Sequence, residues 1–529
     1  MQGLAVRIGS LLFLGWVTVG AGLSTAYQPI WFKDGHITGQ AQNLLIELRA
    51  AADYGLRSED YGADALALQV EQLRRTPTVT VAALQDADRA LSISAWQFAH
   101  DLHFGRIDPT EAGFALRAAR TPLVPSALLT RLSSSSDLAK DFAALEPQFL
   151  HYRLLKTALH RYRELAQQPE LNQLPPLLRR ALREGDEYRG SADLRRLLVA
   201  LGDLPHRDPV ASKSESAVID ADLVKGLTQF QTRHGLRADG VLARKTYQAL
   251  TVPISARVHQ LELTLERWRW LPPFVTPPII VNIPQFRLFA FRTTEDSAAD
   301  IAQMPVIVGQ AYRQKRTPVF VSELRYLVFR PYWDVPTSIV RNELLAPLRA
   351  DATYLERNDL EIVEGGGDDA TVVAATSANI EALAAGRLRL RQRPGANNSL
   401  GLIKFVMPND HGVYLHATPA RALFDRVRRD FSHGCIRLSD PVALAVHVLR
   451  ANPGDWSAPA VVAAMNGTAT KRVVLKVPLP VMVLYGTSLA TEAGQVLFFD
   501  DIYGHDRRLD ALLRAKLTRH TEQSIPAGL

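Results

Sequence analysis

The chain of 529 residues contains a single cysteine, Cys435. A lone thiol closes no intrachain disulfide, so no covalent staple holds this fold and the residue serves either packing or chemistry. The lack of a second thiol also argues against zinc at His411, His416, His433 and Cys435, since such sites use paired ligand clusters at short spacing. Beyond the amino terminus no apolar run approaches the ~20 residues that span a bilayer. Basic runs interleaved with aromatics are missing too. The net charge of +7 is scattered through segments such as Leu178 to Arg183, which reads as solvated helix faces and excludes nucleic acid as a partner. With 47% hydrophobic residues, two to four domains can hold by burial alone.

What is present around the thiol favours chemistry. Cys435 lies in Ser432-His433-Gly434-Cys435-Ile436-Arg437, and His416 ends the stretch Gly412-Val413-Tyr414-Leu415. In extended chain Tyr414 and His416 share one face, as do His433, Cys435 and Arg437. Two imidazoles and a guanidinium would then surround one sulfur, lowering its pKa from about 8.5 toward neutrality and making a nucleophile for carbonyl carbon. A cysteine kept for packing needs no such flanks.

The order of segments suggests a multidomain α+β chain. Residues 1–26 carry Arg7, an apolar run from Ile8 to Leu23 and the small residues Ser24-Thr25-Ala26, the pattern of a secretory signal, with an uncleaved anchor as the alternative. Residues 27–207 read as a helical scaffold broken by prolines, and His206 to Ser216 as a linker. A small helical unit follows over 216–255, with a turn at Asp239-Gly240. From 277 to 470 short apolar or alternating runs, such as Ile279 to Ile283 and Arg287 to Phe291, predict a mainly-β domain. Residues 332–397 interrupt it with a helical piece and Gly365-Gly366-Gly367, a flexible loop lacking the Lys-Ser/Thr of a phosphate cradle. Asp440-Pro441 predicts a helix start, and residues 471–529 add strands and a polar helical tail that complete the fold.

His416-Ala417-Thr418-Pro419 and Ser432-His433-Gly434-Cys435-Ile436-Arg437, with the gap between them, resemble the signature of the L,D-transpeptidase catalytic domain. Arg316-Thr317-Pro318, Trp333-Asp334-Val335-Pro336, Asn397 and Leu400-Gly401 resemble its large multidomain Gram-negative members. Gln229 to Leu236 with Asp239 to Leu242 resembles the three-helix peptidoglycan-binding domain, although Ala243 stands where glycine is common and would be strained if its φ were positive. Arg437 and Ala417 replace the Asn and the Asp or Gly frequent in the family.

The resemblance implies a mainly-β catalytic domain whose insertion caps the site, and a periplasmic enzyme acting on tetrapeptide stems of peptidoglycan. It implies Cys435 as nucleophile, His416 as base oriented by the Ala417 carbonyl, and His433 and Gly434 in the catalytic turn. Arg437, Ser432, Tyr414, Trp333 and Asn397 become candidate substrate contacts. The product would be a 3-3 cross-link made through a thioester with release of D-alanine, with no cofactor or metal. A carbapenem is the expected covalent inhibitor, and other wall-synthesis enzymes are candidate partners. The alternatives are a cysteine hydrolase of stem peptides or wall-linked protein, and a wall-binding scaffold without catalysis.

Overall fold

The computed structural model describes residues 29–116, 120–205, 217–273, 276–293, 302–351 and 353–523. The expected signal and the linker lie outside the described residues. No described helix is long and apolar enough to cross a membrane.

The first core is helical. Gly39–Arg49, Ala63–Arg75 and Val81–Phe104 begin the bundle, and Thr38 and Thr80 cap the first and third by accepting the N–H of Ala41 and Ala83, each at 3.2 Å. Phe98 is its hub, with Tyr54, Tyr61 and Phe142 packed edge-on at 5.4, 5.0 and 4.9 Å. This core takes residues from Trp31 to Leu145 and stops there. Helix α1 (Leu150–Ala166) instead buries Tyr152, Leu155 and Leu159 in a second core that continues into the β domain. Residues of the expected scaffold 27–207 thus feed both cores, with Ile107, Ala112, Phe114 and Leu116 joining the second before the first is complete at Leu145.

A polar seam joins the two cores. Glu266, fully buried on the helix α5 (Ile254–Arg269), accepts the Ile107 N–H at 3.1 Å and the guanidinia of Arg106 at 3.3 Å and Arg269 at 3.2 Å. Arg269, itself fully buried, donates to Tyr152 Oη at 3.1 Å and to the Tyr54 carbonyl. Removing the carboxylate strands two buried cations, so Glu266→Ala is expected to cost about 3–5 kcal/mol. Urea denaturation followed at the N-terminal bundle measures it; an unchanged midpoint would refute the assignment.

Three helices form the small unit, but one lies upstream of the linker. They are α2 (Ser191–Leu201), α3 (Ala221–Arg233) and α4 (Arg244–Leu250), and Ala181–Leu182 pairs with Leu242–Ala243 beside them. In the structure α2 packs its buried Leu194, Leu197 and Leu198 into the same core as Leu223 and Leu227 of α3. Asp220 caps α3 through the Leu223 N–H at 2.9 Å. Gln231, fully buried, donates to the Val241 carbonyl and Thr246 Oγ1 and accepts from the Gly240 N–H, fixing the turn. The positive φ falls on Gly240, at 68°. Ala243 is extended, with φ −103°, so the strain conceived for it is absent.

The β domain is a barrel. Its strands are β1 (Ile279–Asn282), β2 (Arg287–Ala290), β3 (Ala302–Gly309), β4 (Phe320–Phe329), β9 (Ile403–Val406), β10 (Leu415–His416), β11 (Asp430–Ser432), β12 (Ile436–Leu438) and β13 (Lys471–Leu484). They run in the order β11-β3-β12-β10-β9-β4-β13-β1-β2, and β2 pairs with β3 to close the ring. The carboxy-terminal β13 sits between β4 and β1, so this segment is integral to the sheet. Alternation points Ile403, Phe405, Leu415, Ile436 and Leu438 into the core, while Lys404 and Arg437 emerge half-buried on the outer face.

Between β4 and β9 the insertion forms its own sheet, β7 (Thr371–Val373), β6 (Leu360–Glu364), β8 (Arg389–Gln392) and β5 (Trp333–Asp334), with a separate apolar core around Val335, Val340, Leu348, Ile362 and Leu390.

Candidate active site

Strand pairing assembles the site on the outer face of the barrel. β10 runs parallel to β12 with His416 opposite Arg437, and antiparallel to β9 with His416 opposite Lys404. Two residues back along the same register, Tyr414 falls opposite Cys435; its carbonyl accepts the Ile436 N–H at 3.1 Å. Period-two alternation therefore gathers Tyr414, His416, Lys404, Cys435 and Arg437 on one face. Gly401 permits this: with φ 63°, a Cβ there would lie 2.6 Å from Ala417 Cβ.

His416 is buried, and its Nδ1 donates to the Ala417 carbonyl at 2.5 Å. That bond fixes the tautomer and leaves Nε2 as an acceptor. Burial, then the nearby Arg437 and Lys404 charges, push its pKa down to about 3, so the imidazole is neutral at any physiological pH. The Cys435 sulfur hydrogen-bonds with the Tyr414 hydroxyl and backbone, and lies 3.9 Å from the Gly412 carbonyl. Tyr414 also bonds with Trp333 of the insertion, tying the cap to the sulfur's neighbour.

The thiol differs from its expected state. Burial pushes the Cys435 pKa up, outweighing Tyr414, Lys404 and Arg437, which pull it down. His433 does not join them. Its Nε2 lies 2.7 Å from Glu343 Oε1, on the insertion, and Lys315 Nζ reaches both Glu343 Oε1 at 3.0 Å and His433 Nε2 at 2.9 Å. Those two partners hold the Glu343 carboxyl below the usual carboxylate range. The structure thus places the two imidazoles differently from the expectation: His416 is buried beside the face of the thiol and His433 is tied to the insertion.

The resting pair is neutral thiol with neutral imidazole. Its consequence is a pH profile: alkylation of Cys435 by iodoacetamide is expected to rise with pH through the range above about 9. Because His416 gains its proton only near pH 3, no plateau near pH 6 to 7 should precede that rise. A plateau there, the mark of a thiolate–imidazolium pair, would show this charge state to be wrong.

The turn carrying the thiol is braced from below. Gly434 has φ 120°; its N–H donates to Ser432 Oγ at 3.2 Å, and that hydroxyl donates to the Cys435 carbonyl at 2.5 Å. Ser432 is buried, so it staples the turn rather than meeting substrate. Thr317 Oγ1 accepts the Gly309 N–H and donates to the Gly434 carbonyl, both at 2.8 Å. Tyr503 Oη donates to the Gly309 carbonyl at 2.5 Å. A Cβ on Gly309 would stand 2.0 Å from the Lys315 carbonyl, so only glycine fits. Asn397 is exposed and enters the network through its carbonyl, which accepts from Gln392. Its neighbour Asn398, fully buried, spans the Pro331, Gln392 and Arg393 carbonyls.

Thr317, Lys404, Lys315 and Glu343 were not singled out from the sequence as site residues. Thr317 had a signal, since Arg316-Thr317-Pro318 was noted. Lys404 had none beyond its alternation with Ile403 and Phe405, and Glu343 meets the turn only through tertiary packing.

A thiol in the turn leading into β12 and a tautomer-fixed imidazole on the adjacent β10 define a site of the cysteine acyl-transfer kind. Residues 277–473 match the L,D-transpeptidase catalytic domain, residues 191–250 a "putative peptidoglycan binding domain" and residues 24–159 a "scaffold domain". Over 281 residues the chain is 31% identical to a protein of Haemophilus influenzae named as a "putative L,D-transpeptidase", covering 52% of this chain and 55% of that relative. The chain thus spans about half the length of the curated relative it matches. It carries an L,D-transpeptidase catalytic domain together with a peptidoglycan-binding domain.

Proposed function

We propose that the chain forms 3-3 cross-links in peptidoglycan through a thioester on Cys435. The observation that supports this reading is the Nδ1–H bond of His416 to the Ala417 carbonyl, which leaves Nε2 unprotonated on the strand paired with the one that follows Cys435. As Sγ attacks the carbonyl of the diamino acid at stem position three, its proton passes to Nε2. The Cys435 N–H and the Tyr414 hydroxyl are the donors for the oxyanion, each worth about 3 kcal/mol in the transition state. The peptide bond to D-alanine breaks, the leaving amine takes the proton from His416, and the thioester remains. The side-chain amine of a second stem then attacks the thioester, forming the new amide and restoring the thiol. The matches to peptidoglycan-binding and transpeptidase domains support a place at the cell wall, and the proposed export signal in residues 1–26 would direct the chain to the periplasm.

Incubation with purified disaccharide-tetrapeptide, followed by mass spectrometry, tests the reading. The expected product is a dimer of mass equal to two stems minus one D-alanine. Release of D-alanine with only tripeptide formed would replace transfer by hydrolysis.

A further inference from the structure

Two cations face the sulfur without a carboxylate of their own. Lys404 Nζ lies 3.9 Å from the centre of the Tyr414 ring, whose hydroxyl holds Cys435. Arg437 stands opposite His416 in the neighbouring strand. Both are half-buried. Among the described residues neither makes an ion pair or a side-chain hydrogen bond. The carboxylates that reach Lys404 at longer range are Asp334 and Asp368 of the insertion, and Asp334 is already paired with Arg389 at 2.8 Å.

Holding two cations partly out of water on either side of one strand is unfavourable unless an anion joins them. Here the strand register imposes the arrangement: His416 lies between Lys404 on one side and Arg437 on the other. Lys404 is further confined by its ring contact, which suits a cation and leaves its N–H donors free.

We propose that Lys404 and Arg437 together receive a carboxylate of the acyl donor, so that the site selects a stem carrying that negative charge beside the scissile carbonyl. The inference rests on the transpeptidase reading and adds the group that sets donor specificity. Two carboxylates of a tetrapeptide stem have this chemistry: the carboxyl terminus of the leaving residue and the free carboxyl of the diamino acid. Arg437 supplies a planar fork and Lys404 a point charge from the opposite side, an arrangement that discriminates carboxylate from the isosteric amide.

The test compares three donors: the tetrapeptide stem, the stem with its carboxyl terminus amidated, and the stem with the diamino-acid carboxyl amidated. Binding is measured by calorimetry on Cys435→Ala protein, where turnover plays no part. Relative kcat/KM is measured on protein with the thiol intact, in the wild type and in Lys404→Gln, Arg437→Gln and the double variant. One amidation is expected to weaken binding about tenfold or more, and which one names the carboxylate held. That preference should shrink in each single variant, vanish in the double, and return in part in Lys404→Arg. Because the ratio between donors cancels thiol reactivity, a role of Lys404 confined to activating Cys435 would leave it unchanged and overturn the inference. Equal binding of all three donors would overturn it as well. A carboxylate preference in binding, without cross-linked product from an alkylatable thiol, would support the receptor while removing the transpeptidase reading.

Discussion

Cys435→Ala is expected to yield no detectable cross-linked product and no covalent carbapenem adduct, with the fold intact. The loss is one sulfur at the end of a turn whose shape is set elsewhere, by Ser432 Oγ, Thr317 Oγ1 and the Gly434 backbone. The far-ultraviolet spectrum and thermal midpoint should therefore stay close to wild type. The carbapenem half follows from the same chemistry. A β-lactam presents a strained amide carbonyl; Sγ adds to it, the ring C–N bond breaks, and the thiol proton ends on the ring nitrogen. That amine stays tethered to the adduct, and no second stem is present to resolve the thioester, so deacylation depends on water reaching a capped site. Intact-protein mass spectrometry should show one carbapenem on the wild type and none on the variant. An unmodified wild type whose thiol still reacts with a small alkylating agent would count against the enzyme and favour a wall-binding scaffold.

Local pattern carried much of the architecture. Period-two runs gave β1, β2 and the start of β4 within a residue or two, and Asp440-Pro441 opened Pro441–Leu449 with Asp440 accepting the Ala443 N–H at 2.9 Å. Long-range closure was less legible. One helix of the small unit lies upstream of the linker, and its apolar face packs into the same core as α3. Likewise β13 enters the middle of the sheet from the end of the chain. Within the site, faces could be read from alternation, which puts Tyr414 with His416 and Cys435 with Arg437 on one face of the paired strands. Alternation assigns faces only to strands, however, and His433 lies in a turn beyond the end of β11. Its imidazole goes to Glu343, ninety residues away in the chain, and the spacing of the motif holds no trace of that contact. The burial that pushes the Cys435 pKa up depends on tertiary packing, whereas flanking charges are visible in the sequence.

His416→Ala should slow acylation by roughly 10²–10⁴-fold, the range typical of a lost general base. With both groups neutral at rest, proton removal must accompany carbon–sulfur bond formation, so no reservoir of thiolate survives to cushion the loss. His433→Ala should act differently. It removes one partner of Glu343 and loosens the tie between cap and turn, while the sulfur keeps Tyr414, Lys404 and Arg437. Its effect should appear mainly as a higher KM for the donor, and Glu343→Gln should reproduce it because the same contact is weakened from the other side. Single-turnover acylation by a carbapenem separates the two histidines by reporting the chemical step alone. If His433→Ala slows that step as much as His416→Ala does, while Glu343→Gln leaves it at the wild-type rate, then His433 acts on the thiol itself and the assignment of the base to His416 falls.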